Sequence, residues 1–106
     1  MNVRGVKMDL SVNKILNSNV AVEKKTGDLV FSEIKKLIGS EENIVIDFSN
    51  IDLLNTAFLN NAIGKIYFIP NEERKNTNIK ISNFPLEAMD LLEEVINTAK
   101  EKASLL

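Results

Sequence analysis

The run Ile44-Val45-Ile46-Asp47-Phe48 is nearly all apolar, and much of it is β-branched. It is too short for a helix and suits a central strand buried on both faces. It constrains the fold because segments of helical period flank it. Val30, Ile34, Leu37 and Ile38 recur at helical spacing before it. Phe58, Leu59, Ala62, Ile63, Ile66, Tyr67 and Ile69 cover one broad side of a helical wheel after it. A buried strand between amphipathic helices implies an α/β layer structure.

The remaining segments extend this alternation. Val6, Met8, Leu10 and Val12 alternate with Lys7, Asp9 and Ser11, which predicts a half-buried strand. Residues 13–25 are compatible with a turn, a short strand at Val20–Val22 or an irregular loop. Thr26-Gly27-Asp28 reads as a helix opening, with Thr26 as cap and Asp28 near the positive end. Gly39 suits a left-handed terminator. Ser49-Asn50 marks a turn, since asparagine tolerates positive φ. A second helix is expected from Thr56 to Ile69, with Asn60, Asn61 and Gly64 on its polar side and Pro70 as its stop. A polar loop covers 71–78, and Ile79-Lys80-Ile81 is a short strand. Asn83-Phe84-Pro85 starts the last helix. Ala88, Leu91, Leu92, Val95, Ile96, Ala99 and Ala103 form its apolar stripe. The 106 residues read as one domain, 1–106, without repeats.

Composition removes several kinds of chemistry. There is no histidine and no cysteine. The commonest general base is therefore absent, and zinc and iron–sulfur sites lack their usual ligands. The four glycines are isolated, so no phosphate-cradling loop exists. Net charge is −2 and the lysines are scattered, with Lys24-Lys25 and Lys35-Lys36 only as pairs. Nucleic-acid binding needs a concentrated basic face, which this pattern lacks. No apolar run approaches the ~20 residues of a membrane span. Met1–Gly5 lacks the apolar centre of a signal peptide, so the expectation is a cytoplasmic protein. Glu41-Glu42, Glu72-Glu73 and Glu93-Glu94 read as solvated surface, because adjacent residues do not face each other on a helix.

Two positions stand out. Asp47 ends the apolar strand just before a turn, where open α/β sheets often hold ligands. The plainer role for Asp47 and Ser49 is to tie down that turn by local hydrogen bonds. Thr56 stands at the amino end of the second helix. It reads either as an ordinary cap or as a phosphorylatable hydroxyl.

Asp47-Phe48-Ser49, a spacer, Thr56-Ala57-Phe58-Leu59-Asn60 and then Ala62-Ile63-Gly64 resemble the STAS-like family. These are short bacterial proteins of unassigned function, similar to the STAS domains of anti-sigma factor antagonists and sulfate transporters. Weaker similarity runs from Gly27 through the final helix. The resemblance implies a mixed sheet of about four to five strands with helices mainly on one face. It also implies a protein partner, a histidine-kinase-like ATPase. In antagonists that kinase phosphorylates a serine at the helix start, within Asp-Ser-Ser-Gly, and phosphorylation releases the complex. Here the aligned run is Asn55-Thr56-Ala57-Phe58. Ala57 stands at the modified position and cannot accept phosphate, while Thr56 is the neighbouring hydroxyl. Asn50 replaces a common glycine.

These readings converge on a non-catalytic regulatory protein-interaction module without a cofactor or metal. Its expected surface comprises Asp47, Ser49, Asn50, Asn55, Thr56, Asn60 and Asn61, with Thr56 as the candidate phosphorylation site. The alternative is a small-ligand or nucleotide-sensing module using the crevice near Asp47 and Ser49. A third reading is a homodimer formed through the exposed helix face.

Overall fold

The computed structural model describes residues 7–41 and 43–106. Met1–Gly5, Val6 of the first expected strand and Glu42 of the Glu41-Glu42 pair lie outside them. In chain order the elements are β1 (Lys7–Ser11), α1 (Val12–Leu16), β2 (Val20–Ala21), α2 (Lys24–Leu37), β3 (Asn43–Asp47) and β4 (Leu53–Leu54). There follow α3 (Thr56–Ala62), a 3-10 helix (Gly64–Phe68), α4 (Asn71–Arg74), β5 (Asn78–Ser82), a 3-10 turn (Leu86–Ala88) and α5 (Met89–Ala103).

β3 is the middle strand of a parallel sheet ordered β1-β3-β5. In register, Leu10, Ile46 and Ile81 lie side by side, as do Met8, Ile44 and Ile79. They share one face, because side chains alternate along a strand. Ile44 and Ile46 are fully enclosed there, in one core with Val30, Ile34, Phe58, Leu59, Leu92 and Val95. The opposite face carries Asp9, Val45 and Lys80 in one row, and Ser11, Asp47 and Ser82 in the next. Asn43, Val45 and Asp47 are only half-buried. The expected burial of the central strand on both faces is therefore corrected to one face. Strands added in one direction with right-handed crossovers leave their helices on the same side.

The expected mixed sheet of about four to five strands is also corrected. Among the described residues the sheet has three strands, all parallel, and β2 and β4 form a separate two-stranded parallel ladder. The undecided segment 13–25 thus holds most of α1, the strand β2 and the start of α2. Val12 belongs to a helix rather than a strand, because Ser11 accepts the Lys14 N–H and caps α1.

Two helix boundaries differ from the sequence reading. α2 begins at Lys24, and the Thr26 hydroxyl donates to the Glu23 carbonyl within its first turn, so Thr26 is not the cap. Gly27 has another role. A Cβ there would meet the Phe58 carbonyl oxygen at 2.6 Å and the Asn61 Cβ at 2.9 Å, so the glycine lets α2 lie against the α3 backbone. The expected helix from Thr56 to Ile69 is α-helical only to Ala62 and then tightens into 3-10 geometry. A 3-10 helix has three residues per turn, so the later side chains rotate off the α-helical wheel. Gly64, expected on the polar side, is buried against Val95 and Ala99 of α5. Gly39 does end α2 with positive φ, at 92°. The polar loop 71–78 contains α4, and the last helix starts at Met89 after its 3-10 turn rather than at Asn83.

Gly27→Ala should lower stability by up to about 2 kcal/mol, because overpacking costs ~1–3 and improved helix propensity returns ~1. A Cβ at Gly64 makes only 3.7 Å contacts. Gly64→Ala should therefore be neutral, or stabilising by up to about 1 kcal/mol. Urea unfolding of both variants tests the pair, and equal effects would contradict this account of Gly27.

Candidate functional site

The three parallel strands end together, and Ser11, Asp47 and Ser82 are neighbours in register. Asp47 is the centre of this end. Its Oδ1 accepts the Ser49 N–H at 2.9 Å, the Ser49 hydroxyl at 2.7 Å and the Asn83 side-chain amide at 2.9 Å. The hydrogen bond from Asn83, then those from the Ser49 amide and hydroxyl, hold the carboxyl below its ordinary pKa, against a smaller opposing effect of burial. Donors that favour the charged form make a carboxylate a weaker base. Asp47 thus fastens the end of β3 to its own turn and to the end of β5. Beneath it, Phe48 packs edge-on against Phe84 with ring centroids 4.9 Å apart.

The turn itself is Phe48–Ile51, closed by the Ile51 N–H on the Phe48 carbonyl at 3.2 Å. Asn50 takes the left-handed conformation with φ 64°. Its carbonyl accepts the Asn13 side-chain amide at 3.1 Å, and that same amide donates to the Ser18 carbonyl. Asp52 and Leu53 donate their backbone N–H groups to the Asn19 carbonyl, at 2.8 and 3.3 Å. The Asn19 amide returns to Asp52 Oδ2 at 2.6 Å. Val20 then pairs with Leu53, and Ala21 with Leu54. Asn55 completes the lacing: its amide donates to the Val22 carbonyl at 3.1 Å, while its Oδ1 accepts the Phe58 N–H at 2.9 Å. The loops after β1 and β3 are therefore one unit.

Asn55, not Thr56, is the cap of α3. The cap reading of Thr56 is corrected on that geometry. Thr56 is the first helical residue, it is exposed, and its hydroxyl has no hydrogen bond among the described residues. Beside it the surface is apolar: Leu53 is 60% exposed, and Val20 and Val22 are each 37% exposed.

The expected residues do not all share one surface in the same way. Asp47 and Ser49 bond directly, and Asn50, Asn55 and Thr56 follow along the laced loop. Asn60 is exposed farther along α3. Asn61 is tied to α2, donating to the Lys24 carbonyl and to Asp28. Lys65 bonds the same Asp28 carboxylate and, as the largest cause, holds its pKa below the ordinary value. Asn13, Asn19 and Asn83 belong to the assembly but were missed by sequence reasoning. The one local signal was an asparagine placed directly after a strand, as at Asn83. Clefts of about 640 and 350 Å³ lie around Tyr67–Pro70, and neither is lined by Asp47 or Ser49.

Asp47→Ala should cost about 1–2 kcal/mol at neutral pH, given ~1.5–3 for hydrogen bonds to charged groups and the partial exposure of this one. The folded-state pKa is lowered, so this stability is complete above the unfolded value and is lost as pH falls through the folded one. The gap between wild type and variant should therefore narrow below about pH 4. A gap independent of pH in urea titrations would contradict the role given to the carboxylate.

A family model described as STAS-like domain of unknown function (DUF4325) matches residues 26–85. No curated protein and no solved structure matches the chain. The matched span takes in nearly all of α2, the laced loop after β3, α3 and β5, and ends two residues after Asn83. It covers more than half of the 106 residues, and the chain belongs to the STAS-like domain family.

Proposed function

We propose that this protein is a non-catalytic regulatory module that binds a partner protein, of the histidine-kinase-like ATPase type, through the loop and helix start after β3. The observation that carries this reading is the stretch Leu53–Thr56. It presents an exposed leucine and an exposed threonine hydroxyl on backbone already fixed by hydrogen bonds to the neighbouring loop. A preordered surface loses little conformational entropy on binding. An apolar centre of Leu53, Val20 and Val22 bordered by polar Asn50, Asp52 and Thr56 has the composition of an interface core and rim. Asp47, Ser49 and Asn55 support that surface, since their polar atoms hold the loop.

Regulation by phosphate, in this reading, acts at Thr56. A phosphate there adds about −1.5 to −2 charge at neutral pH and would oppose an apolar partner face. Ala57 removes the position that STAS domains of anti-sigma factor antagonists modify.

The partner is sought by affinity capture from the native host with and without ATP, and its affinity is then measured by calorimetry. Leu53→Glu and Thr56→Glu should each weaken binding about tenfold or more, a loss of ~1.4 kcal/mol or above. Glu93→Lys on the exposed side of α5 should leave it unchanged. Failure to recover an ATPase in either nucleotide condition, or equal affinity for all three variants, would contradict the proposal. Intact-mass analysis after incubation with partner and ATP tests the switch separately, with one phosphate expected on Thr56.

A further inference from the structure

Beyond α3, in the 3-10 helix, Tyr67 has two cations near its ring. The Arg74 guanidinium carbon and the Lys100 ammonium nitrogen each lie 5.5 Å from its ring centroid. Arg74 is locked in place, donating from Nε to the Ile69 carbonyl at 3.1 Å and from its terminal nitrogen to Asn71 Oδ1 at 2.8 Å. A guanidinium has five N–H donors, so several remain unused. The Lys100 ammonium has no hydrogen bond among the described residues, and neither cation has an ion pair among them. Tyr67 does not neutralise them. Burial raises its phenol above the ordinary pKa despite the opposing charge of Arg74, so it stays uncharged at neutral pH.

These groups line the cleft of about 640 Å³. Phe68, Ile69 and Pro70 supply an apolar wall, and Phe68 is 43% exposed. No aspartate or glutamate lines this cleft, although the whole chain is net negative. The volume falls in the ~300–1,000 Å³ range of small-molecule sites. Two converging cations without an acidic side chain in the lining, beside an apolar wall, are complementary to one kind of ligand. We propose that this cleft binds a small organic anion, a carboxylate or phosphate monoester carrying an apolar body. The anionic oxygens take the free guanidinium N–H groups and the Lys100 ammonium, and the body rests on Phe68, Ile69 and Pro70. This site is separate from the partner surface proposed at Leu53–Thr56.

Phenyl phosphate is the minimal probe, titrated into the full ¹⁵N-labelled chain at low salt. The expected result is a saturable set of shifts confined to residues 67–74 and 100–104. Lys100→Glu should weaken binding about tenfold or more, since hydrogen bonds to charged groups are the strong ones. Lys100 is exposed and supports no other side chain by a hydrogen bond, so this variant keeps the fold. Benzoate should reproduce the shifts, whereas inorganic phosphate and phenol should each bind more weakly than phenyl phosphate. Absence of saturable shifts at millimolar probe, shifts mapping elsewhere, or undiminished binding by Lys100→Glu would overturn the proposal. Inorganic phosphate binding as tightly as phenyl phosphate would overturn the apolar component.

Discussion

The approach of α2 to α3 at Gly27 is the contact on which the rest of the structure depends. With no side chain at that position, the α2 backbone reaches the Phe58 carbonyl and the first turns of α3. That closeness lets Asn61 reach the Lys24 carbonyl and Asp28. It also holds the start of α3 near the chain that leads into α2, where Asn55 spans the gap to the Val22 carbonyl. Below this pair of helices lie Ile44 and Ile46, sealed on one face of the sheet. The position of Leu53 and Thr56 thus follows from a helix crossing rather than from the loop alone.

Much of this architecture was legible from local pattern. Ile44–Phe48 marked the middle strand, Ile79–Ile81 the strand beside it, and Leu92, Val95 and Ala99 the buried stripe of α5. The tie between Asp47 and Ser49 and the positive φ of Asn50 were also readable, because both are interactions within a few residues. What escaped was non-local. The Asn83 amide meets Asp47, and the Asn13 amide meets the Asn50 carbonyl, across more than thirty positions of sequence. The shift from α to 3-10 geometry after Ala62 brings Gly64 against Val95 and Ala99 of another helix, so an α-helical wheel puts that glycine on the wrong side. Hydroxyls favour helix starts, which makes Thr26 a cap candidate and offers the cap as one of two readings of Thr56. In each case the helix began elsewhere, or a better-placed asparagine took the role.

The two ends of the molecule differ in physical character. At the carboxyl ends of the strands, polar side chains satisfy one another and leave an ordered surface with apolar Leu53 at its middle. Beyond the far end of α3, cations converge on Tyr67 in a cleft lined by no acidic side chain. The first suits a macromolecular partner, for which fixed backbone lowers the entropic cost of association. The second suits a small anion. Both surfaces are connected through α3 and the 3-10 helix that continues it, and Gly64 is where α5 braces that connection.

The central claim is that a partner protein covers the laced loop after β3. Hydrogen–deuterium exchange of the chain, alone and with the captured ATPase, tests it most directly. The expected result is slowed exchange at residues 50–59, with residues 67–74 and 100–104 unaffected. Protection confined to α5 or to the Tyr67 cleft, with the loop unchanged in the complex, would contradict it.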